Sequence, residues 1–149
     1  MSTLFINGSP NKNGNTALLA AALLKGKEYE TLNLTDYTIG AFGQDLPGDG
    51  LNAVIAAMKK ADTIVIGSHV YWHNICGSVR NVLDRFYGKV ENGSLSGRKL
   101  YFVFQGAAPE KWMLEAGEYT MKRFAALYGM AYGGMATNKN EATKLGKNI

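Results

Sequence analysis

Asn7-Gly8-Ser9-Pro10-Asn11-Lys12-Asn13-Gly14-Asn15-Thr16 is the stretch on which the reading of this chain turns. It follows the apolar run Leu4-Phe5-Ile6 and precedes the helix-like segment Ala17 to Leu24. A buried strand therefore runs into a polar, glycine-bearing loop that opens onto a helix N-terminus. Such a loop offers unpaired backbone N–H groups at the positive end of a helix dipole, a combination that holds anions. The hydroxyls of Ser9 and Thr16 and the amides of Asn11, Asn13 and Asn15, grouped around Gly14, add hydrogen bonds without adding charge. The guest that fits is one phosphate group.

Competing glycine-rich motifs fail on spacing. The dinucleotide fingerprint Gly-x-Gly-x-x-Gly needs a middle glycine, which is missing between Gly8 and Gly14. A P-loop has four residues between its glycines and then a lysine; here there are five, and Asn15 stands where the lysine belongs. A triphosphate with magnesium would be under-neutralised in such a loop, whereas a phosphate monoester suits neutral donors and backbone amides. A cysteine-based phosphatase would need its cysteine in this loop, and the only cysteine is Cys76. The plain alternative is a strand–helix turn capped by Asn13 or Asn15.

The rest of the chain alternates between strand and helix patterns. Strands are expected over Thr3–Ile6, Tyr29–Leu34, Thr63–Gly67, Leu100–Phe104 and Met130–Met135. Helices are expected over Asn15–Lys25, around the stripe Leu51, Val54, Ile55 and Met58, around Ile75, Val79, Val82, Leu83 and Phe86, and from Met113 to Leu127. The β-branched run Thr63–Gly67 suits a central parallel strand buried on both faces. Thr35–Asp49 is irregular, and the polar tail 136–149 is expected to fray or to cap a partner. With no repeat and no linker, residues 1–149 read as a single domain. Strands alternating with helices imply a parallel sheet with helices on both faces, and ligands in such sheets bind at the carboxyl ends of the strands. That directs attention to the loops Gly8–Asn15, Ser68–Asn74 and Gln105–Lys111.

In the second loop, Tyr71 and Trp72 follow the central strand, where aromatic rings and open backbone suit a planar ligand; taken alone, two aromatics after a strand are more often core or interface residues, and the neighbouring phosphate loop reverses that balance. In the third, Gln105-Gly106-Ala107-Ala108-Pro109 contains a glycine that permits close backbone approach.

Together these residues resemble the flavodoxin-like NAD(P)H-dependent FMN reductase family. Asn7 to Thr16 is similar to its Gly-Ser-Pro-Arg-x-x-Gly-Asn-Thr phosphate loop, and Ser68 to Gly77 with Leu83-Asp84-Arg85 resembles its second loop and following helix. The resemblance implies a flavodoxin-like three-layer α/β sandwich with a five-stranded parallel sheet of order 2-1-3-4-5. It implies FMN as cofactor and NAD(P)H as reductant, with hydride passing through the flavin to a quinone, a nitro or azo compound, or free flavin. The phosphate would sit on Ser9, Asn11, Asn13, Gly14, Asn15 and Thr16. The backbone of Val70, Tyr71, Trp72, His73 and Asn74 would lie along the isoalloxazine, with Asn74 bonding its edge. Gln105, Gly106 and Ala107 would border its pyrimidine side. The flavin would carry the chemistry, with His73 as a candidate proton donor to the reduced product. A homodimer with flavins near the interface is also implied.

The chain departs from the family pattern at named positions: Asn11 replaces an arginine, His69 a proline, Cys76 a small hydroxyl residue and Arg80 a lysine. Lys12 is the neighbour expected to help with phosphate charge. Thr35–Asp49 lacks the cysteines of the iron–sulfur branch, so no cluster is expected. His69 and His73 lack carboxylate or cysteine partners, so no metal site is expected either. Trp112 is read as an anchor of the helix that follows the third loop, with covering of a neighbouring flavin in the implied dimer as the alternative, and Asp84-Arg85 as an ion pair or packing element.

Bulk properties narrow the classes further. With 46% apolar and 19% charged residues, the chain is neither disordered nor membrane-spanning. The net charge of +4 is scattered rather than clustered, which argues against nucleic acid as a partner. It also argues against an electron-carrier flavodoxin, a class that is typically strongly acidic; a flavin-free binding domain is the other alternative. The lone Cys76 and the early first strand, with no signal-peptide pattern, point to the cytoplasm.

Overall fold

The computed structural model describes residues 2–149. The chain runs β1 (Thr3–Asn7), α1 (Asn15–Leu23), β2 (Glu30–Asn33), α2 (Leu51–Lys60), β3 (Thr63–Tyr71), β4 (Asn74–Ile75), α3 (Gly77–Phe86), β5 (Lys99–Gln105), α4 (Lys111–Tyr128), β6 (Ala131–Ala136) and α5 (Lys139–Gly146). Five strands form a parallel sheet in the order β2-β1-β3-β5-β6, and β4 pairs antiparallel with the end of β3. This is the expected 2-1-3-4-5 winding, with one short strand inserted beside it.

The apolar runs of β1, β3 and β5 are buried on both faces, so the sheet divides the core into two. On one side Leu4, Ile6, Ile64, Ile66, Phe102 and Phe104 meet α2, α3 and α4. On the other Phe5, Val65, Tyr101 and Val103 meet α1 and α5. Gly67 sets how closely α1 approaches: a Cβ there would fall 2.7 Å from Thr16 Cγ2 and equally near Phe5.

Two expectations are corrected. The polar tail does not fray: residues 139–146 form α5, with Ala142 buried in the second core. Asn138 caps this helix by accepting from the Glu141 N–H at 2.9 Å, while the Glu141 carboxylate accepts from the Thr137 N–H at 2.9 Å. Asn-x-x-Glu is an N-terminal signal of this kind, legible at Asn138 but outweighed by the polar composition around it. The helix packs tightly because Gly146 lacks a Cβ, which would fall 2.2 Å from the Leu23 carbonyl oxygen.

The second correction concerns Ser68–Asn74, which is not an open loop. β3 continues to Tyr71 and turns back through Trp72 and His73 as a two-residue hairpin. The irregular segment before α2 is pinned from α3. Arg85 lies 2.7 Å from the Asp49 carboxylate and donates to the Gly40 carbonyl at 2.9 Å, and Asn81 donates to the Ile39 carbonyl. Asp84 pairs instead with Arg80, at 3.3 Å along the same helix.

Candidate active site at the carboxyl edge of the sheet

The first loop is organised by side chains that hold its own backbone. Asn7, fully buried at the end of β1, accepts from the Ser9 N–H at 3.0 Å and donates to Asn33 Oδ1 at 3.1 Å. Ser9 Oγ accepts from the Asn11 N–H, and Asn11 Oδ1 from the Asn13 N–H. Gly8 donates to the Gly67 carbonyl, and its own carbonyl accepts from Ser78 Oγ at 2.7 Å. A Cβ on Gly8 would fall 2.3 Å from Val79, so only glycine lets this turn sit against α3.

These bonds leave an unfilled set of donors. Gly14 is the N-cap of α1, with no side-chain cap, so neither Asn13 nor Asn15 fills that role. The N–H groups of Asn15, Thr16 and Ala17 have no acceptor among the described residues. The Ser9 and Thr16 hydroxyls both serve as acceptors, which leaves each proton free to donate. Thr16 is buried, and its acceptor role is filled by Gln105 Nε2 at 3.2 Å. Gln105 therefore turns toward the first loop, tying it to the end of β5. Lys12 does not turn inward: it pairs with Asp36 at 2.5 Å on the surface. The donors the loop leaves free are all neutral.

The second loop is a strained hairpin. Tyr71 pairs with Asn74, and between them Trp72 and His73 both have positive φ, at 47° and 66°. Two-residue hairpin turns of this kind favour Asn and Gly, which enter the left-handed region at little cost. Trp72 is 94% exposed at the tip, and His73 packs edge-on to Trp112 with ring centroids 5.6 Å apart. Asn74 Oδ1 accepts from the Ile75 N–H, which holds the hairpin's return strand. Cys76 is buried and structural, its N–H donating to Ser68 Oγ at 3.0 Å.

Trp112 is no buried anchor of its helix. It is half-exposed, stands against the hairpin and donates to Glu110 at 2.8 Å. Trp72, His73, Val70, Met113 and the segment Gly106–Pro109 line a cavity of about 280 Å³. A Cβ at Gly106 would lie 3.1 Å from the Val70 Cβ, a tight contact that glycine relieves. A smaller cavity of about 190 Å³ lies between the first and second loops, lined by Gly8, Pro10, Thr35, His69, Tyr71 and Ser78. Both ring nitrogens of His69 are buried without a partner, and burial holds its pKa below the ordinary histidine value. The imidazole is thus neutral near pH 7, with an N–H donor and an acceptor both unmet. His69 is a residue that motif spacing alone does not single out as a ligand; the signal is its departure from proline.

Residues 1–142 match the NADPH-dependent FMN reductase family. The chain belongs to that family. An iron-sulfur flavoprotein of Archaeoglobus fulgidus is 37% identical over 98 residues, which cover 57% of this chain and 48% of that protein. The chain thus spans about half the length of that relative. The solved structure of a Trp repressor binding protein from Bacillus subtilis superimposes with a TM-score of 0.79 at 18% identity, covering 97% of this chain and 98% of that one. An FMN-dependent NADH-azoreductase from Bacillus anthracis, solved in complex with FMN, gives 0.71 at 16% identity, covering 99% and 95%. These two likenesses establish the flavodoxin-like fold.

FMN-using oxidoreductases are the family's chemistry, and the residues present here fit that cofactor. The uncapped α1 N-terminus and the two free hydroxyl protons suit its phosphate, and the cavity rimmed by Trp72 and His73 at the same sheet edge suits a ring. Among the described residues no cluster of three His, Cys, Asp or Glu side chains is placed to hold a metal ion. No helix among them is long and apolar enough to cross a membrane.

Proposed function

We propose that this protein is an FMN-dependent NAD(P)H oxidoreductase that passes reducing equivalents to a small acceptor such as a quinone, a nitro or azo compound, or free flavin. The observation that carries this reading is the donor set of the first loop, three unmet α1 N–H groups with the hydroxyls of Ser9 and Thr16, at the same carboxyl edge of the sheet as an aromatic-rimmed cavity. When bound, FMN supplies the two-electron hydride exchange. The chain's contribution is seating and shielding. In this reading Ser9, Asn11, Asn13, Gly14, Asn15 and Thr16 hold the phosphate. Val70, Tyr71, Trp72, His73 and Asn74, with Gly106 and Ala107, border the ring and the acceptor. His73, on the cavity rim, is the group that would hold a proton for the reduced product.

The test is direct. Purified protein loaded with FMN should show flavin absorbance that bleaches anaerobically on addition of NADH or NADPH and returns when a quinone is added. A bound flavin inert to both nucleotides would turn the reading into an electron carrier, and failure to take up FMN would end it.

We also infer that the active form is a homodimer, working in the cytoplasm, where Cys76 stays reduced. An apolar groove of about 580 Å³ between α3 and α4 supports this, with Phe42, Tyr87 and Leu127 exposed along it. Such a face is what a second copy would cover. Sedimentation velocity should show a dimer that Leu127→Asp converts to monomer; a wild-type monomer at micromolar concentration rejects the dimer.

A further inference from the structure

Its place in the third loop assigns Gln105 to the flavin ring, but the geometry turns it elsewhere. Gln105 lies at the carboxyl end of β5, in register with His69 of β3, and its side-chain amide reaches across the sheet edge to Thr16 Oγ1 at 3.2 Å. Thr16 is almost wholly buried at the first turn of α1, above Gly67. A buried threonine hydroxyl in a helix can satisfy itself on a backbone carbonyl one turn earlier. Here the Gln105 amide donates to the hydroxyl oxygen, and no backbone carbonyl among the described residues takes the hydroxyl proton.

We propose that Gln105 is a positioning residue for the phosphate of FMN, acting through Thr16 rather than touching the flavin. By donating to Thr16 Oγ1, it fixes the rotor so that the hydroxyl proton points away from the amide and toward the unmet N–H groups of α1. There it is available as a further donor beside the three N–H groups and the Ser9 hydroxyl. The inference rests on the reading of the first loop as the FMN phosphate seat. Its importance follows from what the seat lacks: Asn11 brings no charge, and Lys12 is committed to Asp36. In a seat without a cation, each neutral donor counts for a larger share of the recognition, and one aimed the wrong way is lost to it.

The prediction separates phosphate recognition from ring recognition by comparing FMN with riboflavin, which has the same ring and no phosphate. Both are titrated into flavin-free protein by fluorescence quenching, for the wild type, Gln105→Leu, Thr16→Val and the double variant. Gln105→Leu should weaken FMN about fivefold, the size of an ordinary hydrogen-bond contribution. It should change riboflavin less than about twofold, within the scatter of a surface substitution. Thr16→Val should weaken FMN similarly or more. In its background, Gln105→Leu should add nothing, because the interaction it removes is already gone.

Gln105→Glu keeps the shape and reverses the bond, drawing the Thr16 proton onto a carboxylate. It should weaken FMN more than the leucine variant does, again with little effect on riboflavin, and it serves as the second variant should leucine lower the apo melting temperature. Parallel losses for FMN and riboflavin, or additive losses in the double variant, would overturn the proposal and return Gln105 to the ring. Wild-type protein that binds both flavins equally would overturn the phosphate seat itself, a different result from any pattern among the variants.

Discussion

The hairpin tip offers a sharp test of whether this site stores strain. Trp72 has φ of 47°, and its side chain is 94% exposed, so replacing it removes almost no packing. A residue with a Cβ pays about 1–2 kcal/mol in the left-handed region, and asparagine recovers part of this through local hydrogen bonds. Trp72→Asn should therefore stabilise the fold by about 1 kcal/mol, since no buried area is lost to offset the gain. For a chain of this size that corresponds to a rise of about 2–4 °C in melting temperature. Trp72→Ala is the control. Alanine also carries a Cβ, so it keeps the penalty and should leave the melting temperature unchanged. Differential scanning calorimetry on the flavin-free proteins reads the difference. If tryptophan covers the acceptor, both variants lose kcat/KM while only one gains stability, which separates the two roles of the position. Equal melting temperatures for the asparagine and alanine variants would refute the strain argument.

Three further outcomes follow from contacts elsewhere. Gly67→Ala places a methyl 2.7 Å from both Thr16 and Phe5, so it should destabilise the fold by about 1–3 kcal/mol in urea unfolding and weaken FMN binding as α1 is pushed outward. Asn11→Arg restores a cation to the phosphate loop and should tighten FMN about tenfold at low salt, an advantage that shrinks at high salt, with riboflavin unchanged. Asp49 is held well below the usual carboxylate range, first by Arg85 and then by the N–H groups of Leu51 and Gly40. Because its folded pKa is depressed, its contribution is complete above its unfolded value of about 4 and is lost as pH falls below that. Asp49→Asn should accordingly lower stability at pH 7 and flatten the acid limb of a urea-midpoint-versus-pH profile; an unchanged acid limb would show that the ion pair contributes nothing.

How far the fold was legible depended on where the local signals agreed with the tertiary context. The runs Leu4–Ile6, Thr63–Gly67 and Leu100–Phe104 are apolar without alternation because helices cover both faces of the sheet, and few other architectures bury short strands in this way. The hairpin after β3 was illegible for the opposite reason. Trp72 and His73 are poor choices for a left-handed turn, so no turn chemistry announces it, and the conformation is imposed by the pairing of β3 with β4 and by α4 packed against β4 and His73. The tail misled through composition. A short polar helix needs only Ala142 and Leu145 to dock, too few positions to show a periodic stripe, and its cap at Asn138 was the one readable mark. At the site, residue types in the first loop were readable, but their directions were not. Neither the inward turn of Gln105 nor the outward turn of Lys12 can be obtained from spacing, since both depend on partners in distant elements.

That difference in direction changes what the opening loop means. Read as a motif, Asn7 to Thr16 is a phosphate loop weakened by the loss of an arginine. Built as a structure, it is a loop whose backbone is held rigid by Asn7, Ser9 and Asn11 before any ligand arrives. For the phosphate seat proposed here, binding then costs little ordering entropy, and preorganised neutral donors regain affinity that an absent charge would have supplied. Such a seat selects its anion by the number and aim of its hydrogen bonds. It depends correspondingly on residues that aim donors without touching the ligand, and Gln105 at the end of β5 is where that dependence is most exposed to experiment.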